Sequence, residues 1–400
     1  MLAGPAPTVG DGFLRNAAWF GPARARGYLW LFALLNLATL VFIAATSQGG
    51  VDRNGFLLGT DFLSFWTAGQ MLVGHENVYD MAAHVAAQRT YFGREDAYTA
   101  FFYPPSFLPF CYPLGFLPYF PALGLWLLTT AAAWMAAVRL WVRETGLAQQ
   151  TLLLAAAFPP VVLTITHGQT SFLVAALLGL GTLLVCDRPG LAGICFGLAT
   201  IKPQFGVLIP LVLALTGQWR VILVAGATAI GLSLLATLAF SAAIWADWLA
   251  VSETAQSAMN AGAVGFAKMQ SPFAASRLLG APVSLAYVIQ ATVSVGVAGA
   301  LAWAAWRRRF SLALGSAMLA GAPLVTPFVL DYDLVLLASP LLWLLSTGFR
   351  PWEKLIAAAT FAAPTVARPL AVEAGLPVMP FILLAFFVIL VRRAAEEERA

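Results

Sequence analysis

A series of uncharged apolar runs, each long enough to cross a bilayer, constrains this chain more than any other feature. Residues 28–46 (YLWLFALLNLATLVFIAAT) contain no charged side chain. As a helix rising 1.5 Å per residue, such a run covers about 30 Å of hydrocarbon. Comparable runs occupy 119–138, 170–186, 221–241, 281–306 and 377–391. Hydrocarbon offers backbone amides no partner, so helices, which bond internally, are the form that suits these runs. Composition agrees: 10% of the 400 residues are charged, against about 25% in soluble domains. The expected class is an all-α polytopic membrane protein.

Lys and Arg positions set the expected threading. With 1–27 as a cytoplasmic tail, the chain is expected to cross the membrane about twelve times. Residues 28–391 then form one transmembrane domain, with outer loops at 47–105 and 242–280 and a second cytoplasmic tail at 392–400. Fifteen basic residues fall on the inner side, among them Arg139, Arg143, Arg307, Arg308 and Arg309. Seven do not: Arg53, Arg89, Arg94, Arg277, Arg368, Lys202 and Lys268. That asymmetry accounts for the net charge of +4 without invoking nucleic acid, and it suits a multi-pass protein of the cell (inner) membrane surrounded by lipid. Arg15, Arg24 and Arg26 precede a full-length span with no small-residue cleavage site, so no cleavable signal is expected. Cys111, Cys186 and Cys195 lie in apolar stretches without ligand spacing and read as packing residues.

Two regions depart from simple spans. The run 191–201 would reach only about 16 Å as a helix, and Pro203 disfavours helix at Lys202. A broken hairpin results, and irregular backbone at that depth needs a protein or wet surrounding, which sets Lys202 facing a cavity. In the first outer loop, 61–73 and 80–92 begin with Asp61 and Asp80 at cap positions and have the aromatic, amphipathic character of interfacial helices. With Pro109, Pro113 and Pro118 in it, 106–118 is expected to be kinked.

Ionisable groups at membrane depth cost roughly 2.5–3.5 kcal/mol each and are functional candidates. Asp61, Asp331 and Asp333 each have two readings, a helix cap or a reacting group. Lys202 reads as a contact to a phosphate or headgroup. His167 and Gln169 flank Gly168 in a tight outer turn, and Lys268 with Gln270 lies in the second outer loop; in both places a solvated turn is the alternative. His84 reads as an interfacial residue. Zinc-ligand spacing and a Gly-rich phosphate loop are both missing, which argues against an ATP-driven transporter or a nucleotide-sugar enzyme. A carboxylate at the outer surface beside cations suits glycosyl transfer from a lipid-phosphate sugar. The carboxylate takes the acceptor proton as general base, and cations stabilise the departing phosphate. A multi-pass transporter or lipid flippase is the alternative; it calls for polar groups in both membrane halves or inverted repeats, and the inner half has few such groups.

An ordered set of short motifs runs from about 61 to 340: Asp61-Phe62-Leu63-Ser64-Phe65-Trp66-Thr67-Ala68-Gly69, Val78-Tyr79-Asp80, Phe102-Tyr103-Pro104-Pro105, Pro113-Leu114, Leu117-Pro118, Gly168-Gln169, Arg188-Pro189 with Ala192-Gly193, Lys202-Pro203, and Pro327 with Asp331-Tyr332-Asp333. The set resembles glycosyltransferase family 87, a group of GT-C glycosyltransferases. The resemblance implies a GT-C-like bundle, a polyprenyl-phosphate-linked sugar as donor (mannose is the best-known sugar), and a glycan or lipid acceptor. It also implies Asp61 as catalytic base with inversion at the anomeric carbon. Tyr103, His167, Gln169, Lys202, Lys268, Asp331 and Asp333 are the expected donor-phosphate or substrate contacts. Some relatives carry histidines where this chain has Leu330 and Asp331. No cofactor is expected. A divalent ion would need Asp61, Asp331 and Asp333 to converge, whereas Lys and Arg can neutralise a monophosphate leaving group.

Overall fold

The computed structural model describes residues 9–92 and 99–396. Arg94, and Arg399 of the fifteen basic residues expected on the inner side, lie outside them. The described chain is all-α, as the apolar runs predict. In chain order the helices that matter for the site are α1 (Pro22–Thr46), α2 (Phe62–Val73), α3 (Met81–Phe92), α4 (Tyr119–Glu144), α5 (Pro159–His167), α6 (Ser171–Leu184), α7 (Pro189–Leu198), α8 (Leu208–Leu215), α9 (Trp219–Phe240), α10 (Val283–Ala305), α11 (Leu312–Gly321), α12 (Pro364–Ala374) and α13 (Met379–Glu396).

The expected GT-C-like bundle of about twelve membrane segments is not what forms. Among the described residues, four helices are long and apolar enough to span: α1, α4, α9 and α10. Two bent pairs, Gln149–Ala157 with α5 (55°) and Glu353–Ala362 with α12 (71°), raise the number to six if each pair is one span. Apolar runs of similar hydropathy part into two kinds because Pro and Gly cut some of them short. The run 170–186 yields a 14-residue helix, about 21 Å long. Pro203 and Pro323 sit in 3-10 turns, Pro203–Phe205 and Ala322–Leu324, that end neighbouring runs.

The two kinds also face different surroundings. Helix α1 exposes Leu31, Leu34, Leu37 and Phe42, and α9 exposes Leu223 and Leu238. Apolar faces this extensive suit lipid, and the protein is a polytopic membrane protein. Some of the short elements are instead enclosed by protein: α11 buries every residue from Ala313 to Gly321, and the 3-10 turn Asp331–Leu337 is buried throughout.

The first loop also differs from expectation. Helix α2 is a core element, not an interfacial one, with Phe62, Phe65, Ala68 and Met71 buried. Phe62 and Phe65 pack edge-on or tilted against Trp126, Tyr119 and Phe107. Gly69 lets α2 cross the kinked segment 105–116 backbone to backbone: a Cβ at Gly69 would lie 2.3 Å from the Cys111 carbonyl oxygen. The break at Lys202 forms where Pro203 predicts it, between the 3-10 turns Ala199–Ile201 and Pro203–Phe205.

The two ends of the bundle differ in charge. At one end Arg393 pairs with Glu353 at 2.5 Å, Arg350 pairs with Glu396, Arg308 donates to the Ala394 carbonyl at 3.0 Å, and Lys354 donates to the Ala17 and Phe20 carbonyls at 3.2 Å. Helix α4 runs to this end at Arg143 from Tyr119, whose hydroxyl bonds the Leu58 and Gly59 carbonyls at 2.8 Å. The candidate site residues gather at that other end.

Candidate functional site

The turn after α5 is the hub. Gly168 closes it in the left-handed region (φ +66°), and a Cβ there would lie 2.6 Å from the Phe62 Cβ, so glycine alone fits. Two main-chain bonds fasten the first loop to this turn: Gly59 N–H to Thr166 O and Asp61 N–H to His167 O, both 3.0 Å. The carboxylate of Asp61 is thereby brought to Gln169, whose Nε2 donates to Oδ2 at 2.7 Å. The same Nε2 donates to the Tyr332 hydroxyl at 3.0 Å. Gln169 Oε1 accepts from the Tyr103 hydroxyl and from the Thr170 amide, each at 3.0 Å. A single amide thus bridges the first loop, the Phe102–Pro105 motif, and the late Asp331–Asp333 motif.

Asp333 forms the next layer. Its Oδ1 accepts from Lys202 Nζ at 2.6 Å and from Ser171 Oγ at 2.7 Å, and its Oδ2 accepts from the Leu330 amide at 3.1 Å. The pair is enclosed, with side chains 7% (Lys202) and 3% (Asp333) exposed. The Lys202 ammonium also lies 5.3 Å from the Tyr332 ring centroid and 6.0 Å from that of Tyr103. Lys202 therefore faces an internal carboxylate. Of the two readings made for Asp333, the cap is seen: its carboxylate accepts the Leu330 amide and also neutralises this cation.

Asp331 is in a different situation. It is buried, and Oδ1 accepts its neighbour Tyr332's amide at 2.9 Å. Oδ2 is buried and has no hydrogen bond; Arg368 Nη1 approaches it at 4.0 Å. Burial raises the Asp331 carboxyl above its ordinary pKa, while His167 and Arg368 pull it down. Burial likewise pushes the Tyr103 hydroxyl up to about 12, against the Lys202 charge, so it is a neutral donor to Gln169. His167 packs its ring 5.5 Å from that of Tyr332. Asp61 is half-buried and, among the described residues, pairs with no cation.

Seven of the eight predicted site residues thus converge: Asp61, Tyr103, His167, Gln169, Lys202, Asp331 and Asp333. Lys268 does not join them by any bond; it sits half-buried in the turn Phe266–Lys268. Its strap is nonetheless tied nearby, through Gln270 N–H to Val329 O at 2.8 Å and Ser271 Oγ to Pro327 O at 2.6 Å. The cap reading of Asp61 fails, because its side chain makes no cap hydrogen bond. Asp80 does cap, accepting from the Ala82 and Ala83 amides at 3.0 and 3.1 Å. His84 is buried, not interfacial, with Nδ1 3.0 Å from Val78 O, and burial lowers its pKa.

Sequence reasoning did not single out Tyr332, Thr170, Ser171 or Arg368 as site residues. Arg368 carried a usable signal, an arginine that threading sets on the outer side. Among the described residues, no group of three His, Cys, Asp or Glu side chains gathers as a metal-ligand set.

The family model of glycosyltransferase family 87 matches residues 101–340. That stretch holds Tyr103, His167, Gln169, Lys202, Asp331 and Asp333, and leaves Asp61 and Arg368 outside it. No curated protein and no solved structure matches the chain.

Proposed function

The chain belongs to glycosyltransferase family 87, and on that premise we propose that it transfers a sugar, mannose first among the candidates, from a polyprenyl-phosphate carrier to a glycan or lipid acceptor. Asp61 is the general base in this reading. The observation that carries it is the contrast between the carboxylates. Asp333 is engaged with Lys202, Ser171 and the Leu330 amide, and Asp331 is buried. Asp61 alone is half-open and free of a cation, with one oxygen oriented by the neutral amide of Gln169.

In the reaction the acceptor hydroxyl attacks the anomeric carbon and its proton passes to Asp61. The bond from that carbon to the phosphate oxygen breaks, and its electron pair leaves with the polyprenyl phosphate. Attack opposite the leaving group inverts the configuration. The active face is the outer one in this reading, since Arg308, Arg350, Lys354 and Arg393 gather at the opposite end and the positive end faces the cytoplasm. Both termini are then cytoplasmic.

The test supplies purified protein with labelled polyprenyl-phosphate mannose and follows acceptor-dependent loss of label. Asp61→Asn is expected to lower transfer by about 100-fold or more, the usual contribution of a general base, with unchanged membrane insertion and detergent elution profile. Full activity in that variant ends the assignment.

A further inference from the structure

The gap between Asp331 and Arg368 is chemically specific. Asp331 Oδ2 is a buried acceptor with no hydrogen bond. Arg368 Nη1 stands 4.0 Å from it, too far for a hydrogen bond, and among the described residues that approach is the guanidinium's one polar contact. Its side chain is 37% exposed, against 4% for Asp331, so the fork reaches the open side while the carboxylate floors the gap. A carboxylate only accepts and a guanidinium only donates, in a planar fork suited to phosphate. A ligand that satisfies both must present a hydroxyl donor and an anionic acceptor side by side.

We propose that Asp331 and Arg368 form a two-point clamp for a glycosyl-phosphate headgroup, Asp331 accepting a sugar hydroxyl and Arg368 donating to the phosphate. The proposal rests on the transferase reading and names how the donor is held. Free phosphate alone would set an anion against Asp331, and a neutral sugar would leave the fork unfilled. A glycosyl phosphate carries ring hydroxyls next to its phosphate and meets both needs. Lys202, the other cation of the cluster, is already engaged with Asp333. The clamp is linked to the proposed base through Tyr332, which follows Asp331 and accepts from the same Gln169 Nε2 that orients Asp61. Arg368 comes from α12, which packs on both α5 and the 331–337 turn, beyond the stretch that the family model matches.

Binding of two probes to purified protein in detergent tests this: polyprenyl phosphate, and the same lipid phosphate bearing mannose. R368Q is expected to weaken both by about tenfold or more, as loss of a charge-assisted fork implies. D331N is expected to weaken the mannosylated lipid and leave the bare phosphate bound as in wild type or tighter, which a purely structural role would not produce. R368K, which keeps the charge without the fork, should fall between wild type and R368Q for both lipids, and it carries the test if R368Q does not fold. The clamp is overturned if R368Q or R368K binds both lipids as wild type does, or if D331N weakens both equally. Wild-type protein that transfers mannose while its variants bind normally sinks the clamp alone. Wild-type protein that neither binds nor turns over the mannosylated lipid sinks the transferase reading and the clamp with it.

Discussion

Replacing Lys202 with Met removes one half of an ion pair whose side chains are 7% and 3% exposed and whose charged atoms lie 2.6 Å apart. The methionine keeps the bulk of the chain, so the change isolates the charge. Leaving a buried carboxylate unmatched costs about 3–5 kcal/mol. Asp333 retains the Ser171 hydroxyl and the Leu330 amide, so the lower end, about 3 kcal/mol, is the expected loss. Removing both charges, as in K202M/D333N, should recover more than half of it, because a buried pair often adds little net stability over neutral residues. Unfolding of a polytopic protein is usually irreversible, so the assay is the half-life of monodisperse protein in one detergent at a fixed temperature. The expected order is wild type, then the double variant, then K202M. A K202M half-life equal to wild type, or a double variant shorter-lived than K202M, would refute the claim that Lys202 acts by neutralising Asp333.

Two further changes probe packing and topology. Gly69→Ala puts a Cβ 2.3 Å from the Cys111 carbonyl oxygen, a backbone atom that has little room to yield, and should cost about 1–3 kcal/mol as an overpacked contact. Gly124→Ala, with open space around it on α4, should be neutral or stabilising by up to about 1 kcal/mol, and the contrast is read as yield of monodisperse protein. Cys186 is exposed while Cys111 is buried, and its Sγ lies 3.6 Å from the Phe310 carbonyl, next to Arg307–Arg309. A membrane-impermeant maleimide applied to intact cells should therefore leave Cys186 unlabelled until the membrane is opened; labelling before that would invert the orientation.

Much of the site was readable as residue types in order, and little of it as geometry. The Lys202-Pro203 break follows from proline's missing donor, and Asp80 caps its helix as its position suggests. Asp61 shows where such reading stops. An aspartate before an apolar helix fits a cap, yet the carboxylate turns to a glutamine 108 positions away, and nothing local encodes that partner. The span count failed for a related reason. Leucine and alanine runs look alike whether they meet lipid or protein, since lipid tails are as apolar as leucine. Only the packed arrangement separates α9, which exposes Leu238, from α11, which buries Leu314. Arg368 was visible as an outer-side cation, but its carboxylate partner comes from a distant turn.

The two main-chain bonds that fasten Gly59 and Asp61 to the α5 turn have a consequence for how such a chain can diversify. Backbone-to-backbone links do not depend on side-chain identity, so the position of the Asp61 backbone relative to Gln169 is insulated from substitution in the rest of the loop. The exposed positions of α3, such as Arg89 and Thr90, can change charge or shape without displacing that backbone. A protein built this way can vary the surface of its first loop while the spacing between residues 61 and 169 is inherited unchanged.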